Sequence, residues 1–383
     1  MRHILYFVFL ISFLTIGHVM TPWVIAKGYG FGEHYRFTQG PNTTFHEVEL
    51  FVEAVKRTEA HKIAFVGDSV VNSVFSRPNE TLPVYLEQSL KTRYPNVKVY
   101  NYGMQGALHF DFFQMIRYLH EQQAVNEFII NLSYPFFSDK LTANGSLYYR
   151  MLYPVIRPGE LESIGVQYKP NEVENKVEAG NTQLERWLLD HAIKQYNPYR
   201  YRNDLNHILF GGHPANIAKE WVDKEVLDRP VIKKENEEEP TSEKDMEQNK
   251  YKSWTEFGWS EKDIAHLHDV YSVTDLQANP NKAQPFFKVL EYAKQNNIRL
   301  TVVITPINFE LLHKYKIFGE NGYRKNIGYL KEQIARYGFP VYDFQGQIPS
   351  EQFHDSLHLL GPGNRLLAEK IAKEMVRQRG GNL

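Results

Sequence analysis

The sequence predicts an α/β fold, a three-layer sandwich with helices on both faces of a central parallel sheet, and two observations carry that expectation. Short apolar runs recur along the chain with helical patterns between them, and this alternation of strand and helix marks a parallel sheet. The first run also ends abruptly: "KIAFVGDSVVN" places Gly67-Asp68-Ser69 straight after five residues that read as a buried strand. Ligands in such folds sit outside the carboxyl ends of the strands, where Ser69 would lie.

The chain has 383 residues and begins with Arg2 and His3, followed by an almost unbroken apolar run from Ile4 to Ala26. That run is long enough to cross a bilayer, even with His18 and Pro22 inside it. Two readings compete for residues 1–27. Length favours an uncleaved signal anchor, while Val24 and Ala26 supply small residues at the spacing signal peptidase uses. Either reading puts the rest of the protein outside the cytoplasmic membrane, anchored by one span or secreted after cleavage. Residues 28–60 form a lead-in segment, in which "EVELFVEAVKR" reads as a helix.

The α/β domain is expected over residues 61–383. Its strands are predicted at 62–67, 97–102, 127–132, 299–304 and 339–343, each rich in β-branched or aromatic residues. Helices are predicted at 82–93, 107–121, 284–297 and 321–337, with an amphipathic helix over 363–378 closing the chain. Between Asn131 and Lys282 the alternation breaks down. Residues 138–280 therefore read as an insertion or cap, and "KKENEEEPTSEKDMEQNK" at 233–250 as an exposed charged loop that cannot bury a core.

Composition narrows the function. Apolar residues make up 42% of the chain, enough for a sizeable core, and no cysteine is present, so disulfides, thiolate metal sites and cysteine nucleophiles are excluded. Lys and Arg number 44 against 45 acids, and this balance gives no long-range attraction to nucleic acid. Aromatics reach 14%, which suits a thick core or a groove for sugars and acyl chains.

Four short blocks carry the chemistry. Ser69 reads either as the helix cap of a strand-to-helix connection or as a nucleophile held at the end of the sheet. In "FHDSLHLLGPGN", Asp355 and His358 are three apart in a Gly/Pro-flanked loop. One short turn can then present both, the carboxylate holding one imidazole nitrogen while the other faces a serine hydroxyl. In "YNYGMQGALHF", Gly103 ends the second strand, where its N–H can approach a reacting carbonyl oxygen. Asn131 ends the third strand and is either a further oxyanion donor or a hydrogen-bonded core residue. Other features read as structural: His266 and His268 as a surface helix rather than a metal pair, and Trp254, Phe257 and Trp259 as either an insertion core or a sugar groove.

In this order the four blocks resemble the SGNH, or GDSL-type, hydrolase superfamily. The resemblance implies Ser69 as nucleophile, His358 as general base, Asp355 as its orienting partner, and an oxyanion hole formed by the Ser69 amide and Gly103, with Asn131 or Ser133 as a further member. The anchor, the early serine, "GALHFDFFQMIRYL", "SYPFF" and the terminal Asp-x-x-His look more narrowly like the extracytoplasmic teichoic-acid D-alanylation (DltD-like) proteins and, less closely, the alginate O-acetylation proteins. This similarity implies a serine esterase or O-acyltransferase that moves a small acyl group on a cell-envelope polysaccharide or teichoic acid, beside a membrane-bound O-acyltransferase and without a cofactor. The Gly-Asp-Ser block and Ser133-Tyr134-Pro135-Phe136-Phe137 depart from the narrower family, and leave acyl group and acceptor open. A plain secreted esterase or deacetylase, and a non-catalytic glycan-binding or assembly factor, are the rival readings.

Overall fold

The computed structural model describes residues 2–31, 34–37, 45–138, 140, 149–157, 159–160, 195–202, 204–205, 208 and 249–380. Most of the 138–280 insertion, including the charged loop up to residue 248, lies outside them. The chain divides into two units, residues 1–31, 46–51 and 168–241 in one and the remainder in the other.

Among the described residues, the first unit holds α1 (Arg2–Tyr29), which carries one proline, Pro22, and no acidic residue in its first turn. Its Leu5–Tyr29 stretch is one helix long and apolar enough to cross a membrane. At ~1.5 Å per residue, 25 residues reach farther than a hydrocarbon core of ~30 Å. Leu5, Phe7, Phe9, Phe13 and Ile16 are all exposed. Two polar side chains of α1 have partners: Thr21 donates to the Gly17 carbonyl, and His18 Nδ1 accepts from the Asn197 amide.

The second unit holds a five-stranded sheet, all parallel, in the order β2-β1-β3-β4-β5. After α2 (Phe45–Lys56) come β1 (His61–Gly67), α3 (Ser69–Asn72), α4 (Leu82–Lys91), β2 (Val97–Gly103), α5 (His109–Glu121) and β3 (Glu127–Leu132). These are followed by α6 (Glu261–Val270), α7 (Gln284–Gln295), β4 (Leu300–Ile304), α8 (Phe309–Lys314), α9 (Glu320–Tyr337), β5 (Val341–Asp343) and α10 (Gly361–Gln378). All five predicted strands form, and β3 and β4 are buried at every residue, as parallel strands covered on both faces must be. α4 packs on α10, and α5 on α7, which also touches α9. Right-handed crossovers produce this sorting, because the step β1 to β2 runs one way across the sheet and the step β2 to β3 runs back. The reversal makes β1 and β3 the switch point, and β1 carries Ser69 at its carboxyl end.

A cavity of 520 Å³ bordered by Glu127, Arg299, Tyr342 and Arg379 opens at the other end of the sheet, where β3 and β4 begin. It takes in none of the residues at the carboxyl ends of the strands.

Candidate active site

The turn that follows β1 is built from two constraints. Gly67 has no room for a side chain, since a Cβ there would lie 2.8 Å from that of Val71. Asp68 is the cap of α3: its backbone is extended and its Oδ1 accepts from the Val70 amide at 2.7 Å. The cap is therefore Asp68, and Ser69 is the first helical residue. Its side chain is thereby left to make contacts away from its own backbone.

That contact is with the far end of the sequence. Ser69 Oγ lies 2.7 Å from His358 Nε2, and His358 Nδ1 lies 2.7 Å from Asp355 Oδ2. The imidazole carries its hydrogen on Nδ1, where the carboxylate accepts it, so Nε2 presents a lone pair to the serine hydroxyl. The carboxylate is itself oriented: Asp355 Oδ1 accepts from the amides of Leu357 and His358, both at 2.8 Å. The turn around it is closed by an antiparallel bridge between Phe353 and Leu359, and by His354 N–H donating to the His358 carbonyl at 2.8 Å. Sequence spacing of three is what lets one carboxylate bond both the backbone and the ring of the same histidine.

The electrostatics follow from this geometry. Burial opposes charge on His358, but the Asp355 carboxylate, by its charge and its hydrogen bond, outweighs that and holds the imidazole above its ordinary value. Burial likewise opposes charge on Asp355. There His358, with the surrounding hydrogen bonds, wins, and the carboxyl is held well below the usual carboxylate range. About a fifth of each side chain remains exposed, so the pair can meet a ligand.

Asp68 does not orient His358 directly. Its Oδ2 accepts the Ser133 hydroxyl at 2.5 Å, and Ser133 Oγ in turn accepts from Asn131 Nδ2 at 3.0 Å. Asn131 also donates to Thr305 Oγ1 at 3.1 Å and accepts the Asp68 amide through Oδ1 at 3.2 Å. The carboxyl ends of β1, β3 and β4 are thus tied by one buried polar network. Burial raises the Asp68 carboxyl above its usual value, against the lowering effect of the Ser133 and Val70 hydrogen bonds.

The sequence-predicted oxyanion group is only partly assembled. The Ser69 amide occupies the first helical position, which helix geometry leaves without a carbonyl four residues back. Gly103 is adjacent, but its N–H donates to Asn101 Oδ1 at 2.9 Å. Asn131 is 2% exposed, with its amide committed to Ser133 and Thr305. Ser133 gives its own hydrogen to Asp68. Ser69, His358 and Asp355 are brought together, whereas Gly103 and Asn131 are engaged in holding the strand ends.

Two supporting groups escaped the sequence reading. Arg36, seven residues after α1 ends, donates to the carbonyls of Ser73 and Ser76 at 2.8 and 3.0 Å. Asn72 returns the contact by donating to the Phe37 carbonyl at 3.0 Å. This strap holds the turn after α3, where Ser73 adopts a left-handed backbone (φ 58°). The other group is the set of rings beside His358, where Phe75 meets it edge to face at 5.1 Å. A stretch as short as Tyr35-Arg36-Phe37 offers no periodicity to read, and ring contacts between distant segments leave no spacing signal.

His266 and His268 lie on exposed positions of α6, either side of buried Leu267. Trp254 is 2% exposed. No protein-family model matches the sequence, and no curated protein matches it.

Proposed function

We propose that the protein is a membrane-anchored, extracytoplasmic serine acyl-enzyme of SGNH type, which transfers a small acyl group such as acetyl or alanyl to or from a cell-envelope polymer. The observation that carries this reading is the pair of 2.7 Å contacts joining Ser69, His358 and Asp355 at the carboxyl end of a switch-point strand. A structural hydroxyl needs no imidazole whose other nitrogen is held by a doubly anchored carboxylate, whereas an activated nucleophile does.

Ser69 Oγ attacks the ester carbonyl carbon, and its proton passes to His358 Nε2. The resulting imidazolium is stabilised by Asp355, which keeps its own negative charge. As the tetrahedral adduct collapses, the ester C–O bond breaks and His358 returns the proton to the departing alkoxide. An acceptor hydroxyl then gives its proton to His358 as its oxygen attacks the acyl-serine carbonyl; when that adduct collapses, the bond between the acyl carbon and Ser69 Oγ breaks and His358 returns the proton to Oγ. The developing oxyanion is held by the Ser69 amide, and by the Gly103 amide once Asn101 releases it. The 138–280 segment is read as the cap that favours an acceptor hydroxyl over water. A membrane-bound O-acyltransferase is the partner that would supply the acyl group.

The test is reaction of the full-length protein in detergent with a fluorophosphonate probe. Wild type is expected to label, and Ser69→Ala and His358→Ala are not. Absence of labelling on folded wild type would overturn the acyl-enzyme reading. Acyl release to water in the presence of a polymer acceptor would replace transfer with hydrolysis.

A further inference from the structure

His358 stands at one end of a run of ring contacts that leads away from Ser69. Phe75, edge-on to His358, stacks on His354 with centroids 3.7 Å apart and planes 17° off parallel. His354 meets Phe257 at 5.0 Å, and Phe257 stacks on Trp259 at 5.7 Å and 26°. Phe75, Phe257 and Trp259 are each half-buried, so each keeps part of a ring in water.

The neighbouring Trp254 shows what a purely structural ring looks like in this segment. It is buried, and its indole N–H donates to Ser350. Trp259 instead gives its N–H to the Trp254 carbonyl at 3.0 Å. The polar edge of Trp259 is thus satisfied by the backbone, and its ring, which also meets Tyr315 at 6.1 Å, stays half-buried. His354 is satisfied in the same way, its Nδ1–H donating to the Lys252 carbonyl at 2.9 Å. Burial holds its pKa below the ordinary value, so it stacks as a neutral ring.

Between the rings the chain is polar and open. Thr255, Glu256, Gly258 and Ser260 are exposed, and a Cβ on Gly258 would meet nothing within 4 Å. An acyl-chain site would enclose its rings in further apolar surface. Rings alternating with short hydrogen-bonding groups suit a sugar, whose C–H face lies on an aromatic plane while its hydroxyls reach polar neighbours. Nucleobases also stack, but a formal net charge of −1 gives no phosphate-binding surplus.

We propose that Phe257 and Trp259 form a platform for the pyranose rings of a polysaccharide, whose chain runs past Phe75 to present its ester or hydroxyl at Ser69. This rests on the acyl-enzyme reading and narrows its substrate: the polymer is built of sugar rings, not of polyol phosphate, which has no ring face to stack.

Calorimetric titration of the full-length protein in detergent tests this with chitopentaose, cellopentaose and a mannuronate pentamer, against a glycerol-phosphate oligomer and an eight-residue thymidine oligonucleotide. At least one pyranose oligomer is expected to bind. Trp259→Ala should weaken it about tenfold or more, as loss of one stacking partner does elsewhere. Trp259→Phe, which keeps a ring, should weaken it less, with both variants checked for an unchanged unfolding midpoint. The platform is overturned if folded wild type binds no pyranose oligomer, if Trp259→Ala and Phe257→Ala bind like wild type, or if the glycerol-phosphate or thymidine oligomer binds in a Trp259-dependent way. Fluorophosphonate labelling of the same wild-type sample separates the two proposals. Sugar binding without labelling removes the acyl-enzyme and leaves the platform, and labelling without sugar binding removes the platform alone.

Discussion

Gly103 and Asn72 touch backbone to backbone: a Cβ on Gly103 would fall 2.6 Å from the Asn72 Cα, and 2.7 Å from the Val71 carbonyl carbon. The end of β2 and α3, whose first residue is Ser69, approach this closely only because residue 103 has no side chain. Asn72 Nδ2 donates to the Gly103 carbonyl at 2.9 Å and fastens the approach.

Gly103→Ala is therefore expected to push α3 off β2. Because the clash is with backbone, no rotamer relieves it, and the cost should reach the upper part of the ~1–3 kcal/mol typical of overpacking. Chemical denaturation measures that cost, and fluorophosphonate labelling should fall with it. A variant as stable and reactive as wild type would show that α3 tolerates a shift.

Labelling should depend on pH through His358. The reactive form has a neutral imidazole, and Asp355 holds the folded pKa above the ordinary ~6.5. The rate should thus rise with pH through a midpoint above that value. Asp355→Asn should lower the midpoint and cut the rate by about 10²–10⁴, the range that general-base catalysis contributes. The stability contributed by protonated His358 runs the other way. It is complete below the unfolded-state pKa and disappears as pH climbs through the folded one.

Asp68 should behave oppositely to Asp355. Its folded pKa lies above its unfolded one, so ionisation costs stability as pH rises from the ordinary carboxyl range through the raised value. Asp68→Asn should then gain on wild type over the interval from the ordinary carboxyl pKa up to the raised one in denaturant titrations. A loss over that interval would mean that the ionised carboxylate is the stabilised form. Ser133→Ala, which strips the Oδ2 of its donor, should cost ~1–3 kcal/mol and widen the same interval.

Carbonate extraction of membranes tests α1. The full-length chain is expected in the pellet, and a chain lacking residues 1–29 in the supernatant. Recovery of the full-length chain in the supernatant would exclude a transmembrane anchor.

The sheet was legible because parallel strands buried on both faces must be apolar almost throughout, and "IAFV", "FIINL" and "LTVVI" can be little else. Ser69, Asp355 and His358 were legible because the turns that present them confine their spacing to a few residues. Gly103 was picked out for its proximity to the reacting atoms, yet the backbone approach of α3 accounts for the glycine without an oxyanion. Asn131 and Ser133 belong to a network that unites residues 68, 131, 133 and 305, and such a network has no period along a chain. The strap through Arg36 was invisible for the same reason, since its partners are backbone carbonyls, which every residue possesses.

Ser69 and His358 are separated by 289 positions, and between them lie four of the five strands. Because a chain is made from its amino end, Ser69 exists before any of those four strands and before residue 358. The 2.7 Å contact between Ser69 and His358 therefore forms only once the loop after β5, closed by the Phe353–Leu359 bridge, reaches the carboxyl end of β1. On the reading proposed above, the acyl-enzyme is complete only in a chain whose closing loop has docked.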